Sequence, residues 1–311
     1  MDLVYLGTPE LAVPPLVALH AAGHRITLVV SGADKRRGRR GSPTPSPVKA
    51  AALELGLAVT DDIEDLAAAD AELGVVVAYG RLVGPHLLAR LPMLNLHFSL
   101  LPRWRGAAPV ERAMLAGDDI TGVCLMALDE GLDTGCVYGQ VEVPIGGSTT
   151  AADLRCELVR AGTDLLVDSL RTGLGACEPQ RGDGVTYAAK LTVDDLRLDW
   201  SGPVAQLDRQ IRVGGAWTTW GGERFKIHRA TPAGDTDSVG GDLAGDLLPA
   251  SDAAPGTIWG TRRAVMVRAA DGDLRLGQVQ PAGRASMSAG DWANGASPFG
   301  DLLGGQGTGS T

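Results

Sequence analysis

Short apolar runs recur through the first hundred residues, with segments of helical period between them. Leu3-Val4-Tyr5-Leu6 ends at Gly7-Thr8-Pro9, residues 10–22 carry a helical pattern closed by Gly23, and Ile26-Thr27-Leu28-Val29-Val30 reads as the next strand. Val75-Val76-Val77-Ala78 and Met93-Leu94-Asn95-Leu96-His97 repeat the theme. A strand that is apolar on both faces must be covered on both, and the intervening helices are the elements able to do it. The alternation therefore predicts an α/β domain, a parallel sheet between layers of helices. No Gly-x-Gly-x-x-Gly follows the first strand, so a dinucleotide site has no support.

The fourth strand departs from the apolar rule. Asn95, His97 and Ser99 alternate with Leu96, Phe98 and Leu100, which is the period of a strand and puts the three polar side chains on one face. An amide and a protonated imidazole side by side could hold a developing oxyanion. From residue types alone, a sheet edge with one solvated face and a satisfied histidine is the favoured reading. Beyond Pro102 the run Arg103-Trp104-Arg105-Gly106 is turn-prone.

The second strand empties into Ser31-Gly32-Ala33-Asp34, then the basic residues Lys35, Arg36, Arg37, Arg39 and Arg40. The chain carries a formal net charge of -9, so it does not bind nucleic acid over its whole surface. A local basic site is compatible with that balance, because nearby charges decide contact with phosphates. Glycine and proline on both sides lead us to expect an irregular, mobile loop. Such runs are often merely solvated. This one leaves the carboxyl end of a strand, where open α/β sheets place their ligands, and we read it as a phosphate-contacting arm.

Further along, residues 122–128 form a strand that runs into the turn Asp129-Glu130-Gly131-Leu132-Asp133-Thr134-Gly135, with residues 137–143 as its hairpin partner. Residues 149–170 read as a long amphipathic helix and residues 183–203 as a linker. The texture then changes. A short helix at 206–212 precedes short strands such as 224–228 and 264–268, each bounded by glycine, which suggests a small β-barrel. Residues 235–255 read as a flexible insertion and 294–311 as a flexible tail.

At 311 residues, 44% of them hydrophobic, the chain suffices for two domains with separate cores. No run of 18 apolar residues exists and Met1-Asp2 has no basic region behind it, so neither membrane insertion nor secretion is expected. Cys124, Cys136, Cys156 and Cys177 match no zinc spacing and are expected as buried free thiols in a reducing cytoplasm. His20 and His24 stand four apart with no third ligand and read as solvated helix-end residues rather than a metal pair.

Asn95-x-His97-x-Ser99-Leu100-Leu101-Pro102, followed by Arg103-Trp104-Arg105-Gly106-Ala107-Ala108-Pro109, resembles the active-site signature of the folate-dependent formyltransferases, in the form carried by the branch that acts on methionyl-initiator tRNA. The resemblance implies a third residue, an aspartate in a Leu-Asp-x-Gly turn, and Leu132-Asp133-Thr134-Gly135 supplies it. Leu6-Gly7-Thr8-Pro9, Pro45-Ser46-Pro47-Val48-Lys49, Val77-Ala78-Tyr79-Gly80, Thr186-Tyr187-Ala188-Ala189-Lys190-Leu191, Asp199-Trp200 and Gln280-Pro281-Ala282-Gly283 extend it over about residues 2 to 290.

The family implies a Rossmann-like formyl-folate domain at 1–182, the linker at 183–203, and an OB-like barrel at 204–293 that helps to hold tRNA. By position, Asn95, His97 and Asp133 match the catalytic trio. Ser99, Leu100, Leu101 and Pro102 match the folate-contacting segment, and Val77, Ala78, Tyr79 and Gly80 the pterin pocket. The basic loop falls where the family enters the acceptor arm of tRNA. The implied reaction moves the formyl group of 10-formyltetrahydrofolate to the α-amine of methionyl-initiator tRNA in the cytoplasm. No metal, membrane or DNA is implied. In that chemistry Asn95 and an imidazolium at His97 would stabilise the oxyanion, and Asp133 would orient His97 and relay a proton. Transfer to a small amine such as glycinamide ribonucleotide, or a non-catalytic RNA-binding module, are the rival readings; neither the basic loop nor a second domain is needed for the former. The chain departs from the family pattern at Phe98, where a glycine is expected, at Arg284-Ala285-Ser286 in place of lysines, and in the acidic stretch 235–252.

Overall fold

A computed structural model of the chain describes residues 1–36, 41–234 and 253–304. It divides into two compact units. The first comprises Met1–Ala113, Asp118–Gly147 and Ala152–Lys190; the second comprises Met114–Gly117, Ser148–Ala151 and the chain from Leu191.

The first unit contains β1 (Asp2–Gly7), α1 (Val13–Ala21), β2 (Arg25–Val30), β3 (Lys35–Arg36), β4 (Pro43–Thr44), α2 (Pro47–Glu54), β5 (Val59–Thr60), β6 (Leu73–Val77), α3 (Pro85–Arg90) and β7 (Met93–His97). Then follow β8 (Arg105–Gly106), α4 (Pro109–Ala116), β9 (Ile120–Ala127), β10 (Val137–Pro144), α5 (Ala151–Thr172) and β11 (Tyr187–Ala188), of which α4 and α5 cross the division. Seven strands form one sheet in the order β10-β9-β7-β6-β1-β2-β5. The five strands from β7 to β5 are parallel, and β9 and β10 add an antiparallel edge. Leu3, Val4, Tyr5 and Leu6 of β1 and the whole of β6 are buried, as an apolar run between two helical layers requires.

The strand order fixes where a ligand can bind. From β1 the chain moves one way to β2 and β5, then returns to the other side with β6 and β7. Connections leaving in opposite directions open a crevice at the carboxyl ends of β1 and β6, the usual ligand position in such sheets. Gly7 pairs with Val77 there, and His97 ends the next strand. Gly122 of β9 serves that end of the sheet too. A Cβ on it would collide with Val141 O of β10 and with Leu100, so only glycine lets the segment after β7 lie down on the sheet.

Several expectations need correction here. Lys35 and Arg36 are not irregular: they pair with Thr44 and Pro43 as a two-residue antiparallel ladder. A proline on so short an edge forfeits little, since few ladder bonds exist to lose. The first part of the expected linker is structured, because Tyr187 and Ala188 of β11 pair with Arg105 and Gly106 of β8. Free thiols were expected throughout, yet Cys136 and Cys177 form a disulfide with Cα atoms 5.4 Å apart. An antiparallel bridge between Val137 and Glu178 brings these distant positions together, a pairing that cysteine spacing does not encode. Cys156 is exposed, so Cys124 alone fits the buried-thiol expectation.

In the second unit, α6 (Val204–Val213) precedes β12 (Trp217–Trp220), β13 (Glu223–Pro232), β14 (Ile258–Thr261), β15 (Ala264–Arg268), β16 (Asp273–Gln280), β17 (Met287–Ser288) and α7 (Ala289–Ala296). The sheet runs β12-β13-β16-β15-β14, with β17 also on β16, and every pairing is antiparallel. Trp200, Leu207, Ile211, Phe225, Ile227 and Trp292 are core residues, and the rings of Phe225 and Trp292 sit 4.6 Å apart. Residues 294–304 are not a tail. Leu303 is 2% exposed in that core, and Thr257 bridges to Leu302. Most of the expected insertion, 235–252, and the end of the expected tail, 305–311, lie outside the described residues. Among the described residues no helix is long and apolar enough to cross a membrane.

Candidate active site

Asn95 and His97 stand two apart on β7, so the pleat puts both side chains on one face. Asn95 is flanked by Val76 of β6 and Met126 of β9. Among the described residues nothing hydrogen-bonds the Asn95 amide. His97 is 5% exposed and has an acceptor at each ring nitrogen. Nε2 lies 2.9 Å from Trp104 O, and Nδ1 lies 3.5 Å from the Asp133 carboxylate. A neutral imidazole has one N–H and can serve one of these acceptors; an imidazolium serves both.

Asp133 occupies the left-handed region at φ 52, which aspartate tolerates better than most side chains. Its Oδ2 accepts from Gly106 N at 2.8 Å. Asp129 shapes the turn by accepting from Gly131 N and Thr134 Oγ1. A Cβ on Gly135 would run into Ala127 O, so a glycine there lets the turn cross the end of β9. The Gln180 side chain holds the turn from the other side, its Nε2 donating to Asp133 O and to Gly135 O at 2.8 Å each.

Trp104 is the other support. It too is left-handed, at φ 63, and it is fixed at three points. Its N–H donates to Thr186 Oγ1 at 2.9 Å, its indole Nε1 donates to Asp118 at 2.7 Å, and the Arg103 guanidinium lies 4.5 Å over its ring. Arg103 also forks onto Asp118 with bonds of 2.8 and 2.6 Å. Partial burial alone would raise the Asp118 carboxyl, but the bonds from Arg103 and Trp104 outweigh it and hold the group below the ordinary carboxylate range. Sequence reasoning had singled out none of Trp104, Asp118, Gln180 and Thr186 as site residues.

The structure brings Asn95, His97 and Asp133 together. The segment assigned to folate contacts is more internal than its sequence suggested. Ser99 is fully buried and its hydroxyl donates to Arg103 O at 2.6 Å. Leu101 packs with Cys124 and Met126, while Leu100 and Pro102 are half-buried. Of the second segment, the side chains of Val77 and Tyr79 point inward, at 0% and 4% exposure. Ala78 and Gly80 turn the chain at φ 47 and 76. Ala78 and Phe98 line a cavity of about 120 Å³ with Leu11, Ala107, Pro109 and Val159, and the paired Glu111 and Arg155 form its polar wall. Lys35 and Arg36 are exposed; Arg37, Arg39 and Arg40 lie outside the described residues. Among the described residues no group of three or more His, Cys, Asp or Glu could hold a metal ion.

Residues 1–170 match the family model described as formyl transferase, and residues 190–297 match its C-terminal domain. The chain is 42% identical to the methionyl-tRNA formyltransferase of Clavibacter michiganensis, over 95% of this chain and 97% of that protein. It is 44% identical to the methionyl-tRNA formyltransferase of Acidothermus cellulolyticus over the same shares. Among solved structures it shares its fold with an N-formyltransferase of Helicobacter canadensis in complex with folinic acid and dTDP-3-aminofucose, at a TM-score of 0.64 and 17% identity, covering 90% of this chain and 98% of that one. HypX of Aquifex aeolicus in complex with tetrahydrofolic acid matches at a TM-score of 0.63 and 15% identity, covering 94% of this chain and 46% of that one.

Proposed function

The chain belongs to the formyl transferase family, and on that premise we propose that it moves the formyl group of 10-formyltetrahydrofolate to the α-amine of methionyl-initiator tRNA, with Asn95, His97 and Asp133 as the reacting centre. The observation that carries the assignment is the pair on β7: an amide with no hydrogen-bond partner among the described residues, beside an imidazole set between Trp104 O and the Asp133 carboxylate. Folate supplies a formyl carbon activated by its bond to an aryl nitrogen.

An α-amino group titrates near about 8, so a useful fraction is neutral at cytoplasmic pH and needs little activation. The larger task is to stabilise negative charge on the formyl oxygen and to manage a proton. The unpartnered Asn95 amide fits the first part, donating to that oxygen. His97 as imidazolium supplies a second, charged donor and an acid for the departing nitrogen. Asp133 holds the ring in place and can take up the amine proton.

Backbone groups of Ala78 and Gly80 and the segment Ser99, Leu100, Leu101 and Pro102 would hold the folate, with Val77 and Tyr79 packing behind them. The cavity of about 120 Å³ is smaller than the roughly 300–1,000 Å³ of sites that enclose a whole small molecule. Its apolar walls suit one side chain, and the methionyl side chain is the group available.

We read the second unit as an OB-like barrel that holds tRNA. Two observations support it. Residues 300–304 bond to Ile258 on one side and to Thr219 on the other, spanning the two edge strands. Arg197 and Arg224 lie 5.5 and 4.4 Å from the Trp217 ring, the cation and aromatic pairing that suits a nucleic-acid strand. Lys35, Arg36, Arg37, Arg39 and Arg40 are the arm toward the acceptor end, and the cytoplasm, where initiator tRNA is charged, is the place of action. Formyl transfer from 10-formyltetrahydrofolate should be measured with methionyl-initiator tRNA and, in parallel, with glycinamide ribonucleotide. Transfer to the tRNA alone is the expected result; transfer only to the small amine, or none, refutes the reading.

A further inference from the structure

We propose that Gln180 is a positioning residue for the transfer: it sets the Asp133 carboxylate against His97 by clamping the backbone of the turn that carries it. The inference rests on Asp133 and His97 being the reacting pair, as read above.

The side chain of Gln180 is fully engaged. One Nε2 group meets two carbonyls, Asp133 O and Gly135 O, at 2.8 Å each. Oε1 accepts from Nε and Nη2 of Arg105 at 3.1 and 2.6 Å. This pattern fixes which way round the amide stands, since the reverse would set its oxygen against two carbonyl oxygens and its NH₂ against a guanidinium. The two clamped carbonyls bracket a turn whose aspartate is held in the left-handed region, a conformation that surrounding contacts must enforce.

Arg105 makes the clamp specific to the reacting pair. Its two neighbours in sequence each touch one catalytic group. Trp104 O meets His97 Nε2, and Gly106 N donates to the Asp133 carboxylate. The Arg105 side chain, through Gln180, reaches the Asp133 backbone. The contacts therefore close a ring: His97, Trp104, Arg105, Gln180, Asp133, and back to His97. The segment bearing Gln180 is itself braced against the turn, by the Cys136–Cys177 disulfide and by reciprocal bonds between Val137 and Glu178 of 2.8 and 2.9 Å. A residue needed only for the fold would satisfy these carbonyls without linking the two groups that react.

The test is a double-mutant cycle on turnover with both substrates saturating. Gln180→Glu keeps the shape and the partnership with Arg105 but replaces the amide donor by an acceptor. Gln180→Ala removes the group altogether. Each should lower kcat by about 10–100-fold, the scale of a misplacement near 1 Å, with KM for folate and for tRNA changed less than about twofold. In an Asp133→Asn background the same changes should cost less than about threefold, because the group they position is gone. Losses that multiply in the double variant, a change confined to KM, or unaltered kcat in both Gln180 variants would overturn the proposal. If Gln180→Ala does not fold, Gln180→Glu carries the same comparison. An inactive wild-type protein would instead refute the function from which the inference starts.

Discussion

Asp118→Asn should destabilise the protein by an amount that disappears in acid. Asp118 receives two bonds from Arg103 and one from the Trp104 indole. The Arg103 side chain is 44% exposed, so that ion pair is screened and contributes no more than about 1 kcal/mol. The indole bond to a largely buried carboxylate contributes more, about 1.5 kcal/mol at the lower end of bonds to charged groups. An asparagine still offers one oxygen, but its NH₂ faces one of the donors, so stability should fall by roughly 2 kcal/mol in all. For a unit of this size that lowers the melting temperature by about 4–8 °C. The sign of the pH dependence follows from the lowered carboxyl. A folded-state value below the unfolded one, near about 3.9, adds stability above that value and loses it as pH falls through the folded one. Melting curves of wild type and variant, followed by circular dichroism, should therefore differ by a constant interval from about pH 8 to about pH 5 and draw together in acid, as pH falls through the lowered folded-state value. Curves that stay equally far apart in acid would refute the charge-based account. Coincident curves at neutral pH would refute any role for the Asp118 bonds.

Asn95→Ala and His97→Ala should each reduce kcat by about 10²–10³, the usual cost of one oxyanion donor, in protein that still folds; near-normal turnover in either removes that residue from the centre. Replacing Lys35, Arg36, Arg37, Arg39 and Arg40 with serine should flatten the plot of log tRNA affinity against log salt, by about 0.7–0.9 for each phosphate that the arm no longer neutralises, and should leave folate binding unchanged. Parallel plots would mean that the arm is only solvated charge. Without reductant, a thiol reagent should find one fast site per folded chain, Cys156, since Cys136 and Cys177 are joined and burial pushes the Cys124 thiol up to about 11. Reduction of the folded protein should add two sites; three fast sites beforehand would show that the disulfide does not form in solution.

Local rules carried the fold further than they carried the site. Hydrophobic period located β1, β2, β6 and β7 because burial on both faces leaves a run of apolar residues that nothing in a loop imitates. The same rule explains the placing of Asn95 and His97 on one face. It failed where partners are remote. Lys35 and Arg36 looked irregular because their neighbours are glycine and proline, yet the strand opposite begins at Pro43 itself. Residues 294–304 looked like a tail because they are rich in small residues, although Leu303 fills a gap in the core. Gln180 stands 45 residues from Gly135 and Thr186 stands 82 from Trp104, distances over which period and propensity carry no information.

The chemistry of the site asks for geometry that an ordinary backbone resists, and this explains why its supports are remote. Of the four non-glycine residues with positive φ among the described residues, three are Ala78, Trp104 and Asp133. Ala78 lines the cavity beside Phe98, and Trp104 and Asp133 each meet His97. Left-handed backbone at such residues costs roughly 1–3 kcal/mol apiece, and a free loop would relax out of it. Thr186 and Asp118 hold Trp104, and Gln180 and Gly106 hold Asp133. Because β11 pairs with β8, the segment that supplies Thr186 is locked to the loop it supports. The strain at Trp104 and Asp133 is thus offset by contacts from other segments, and loosening any one of them should lower stability, turnover or both.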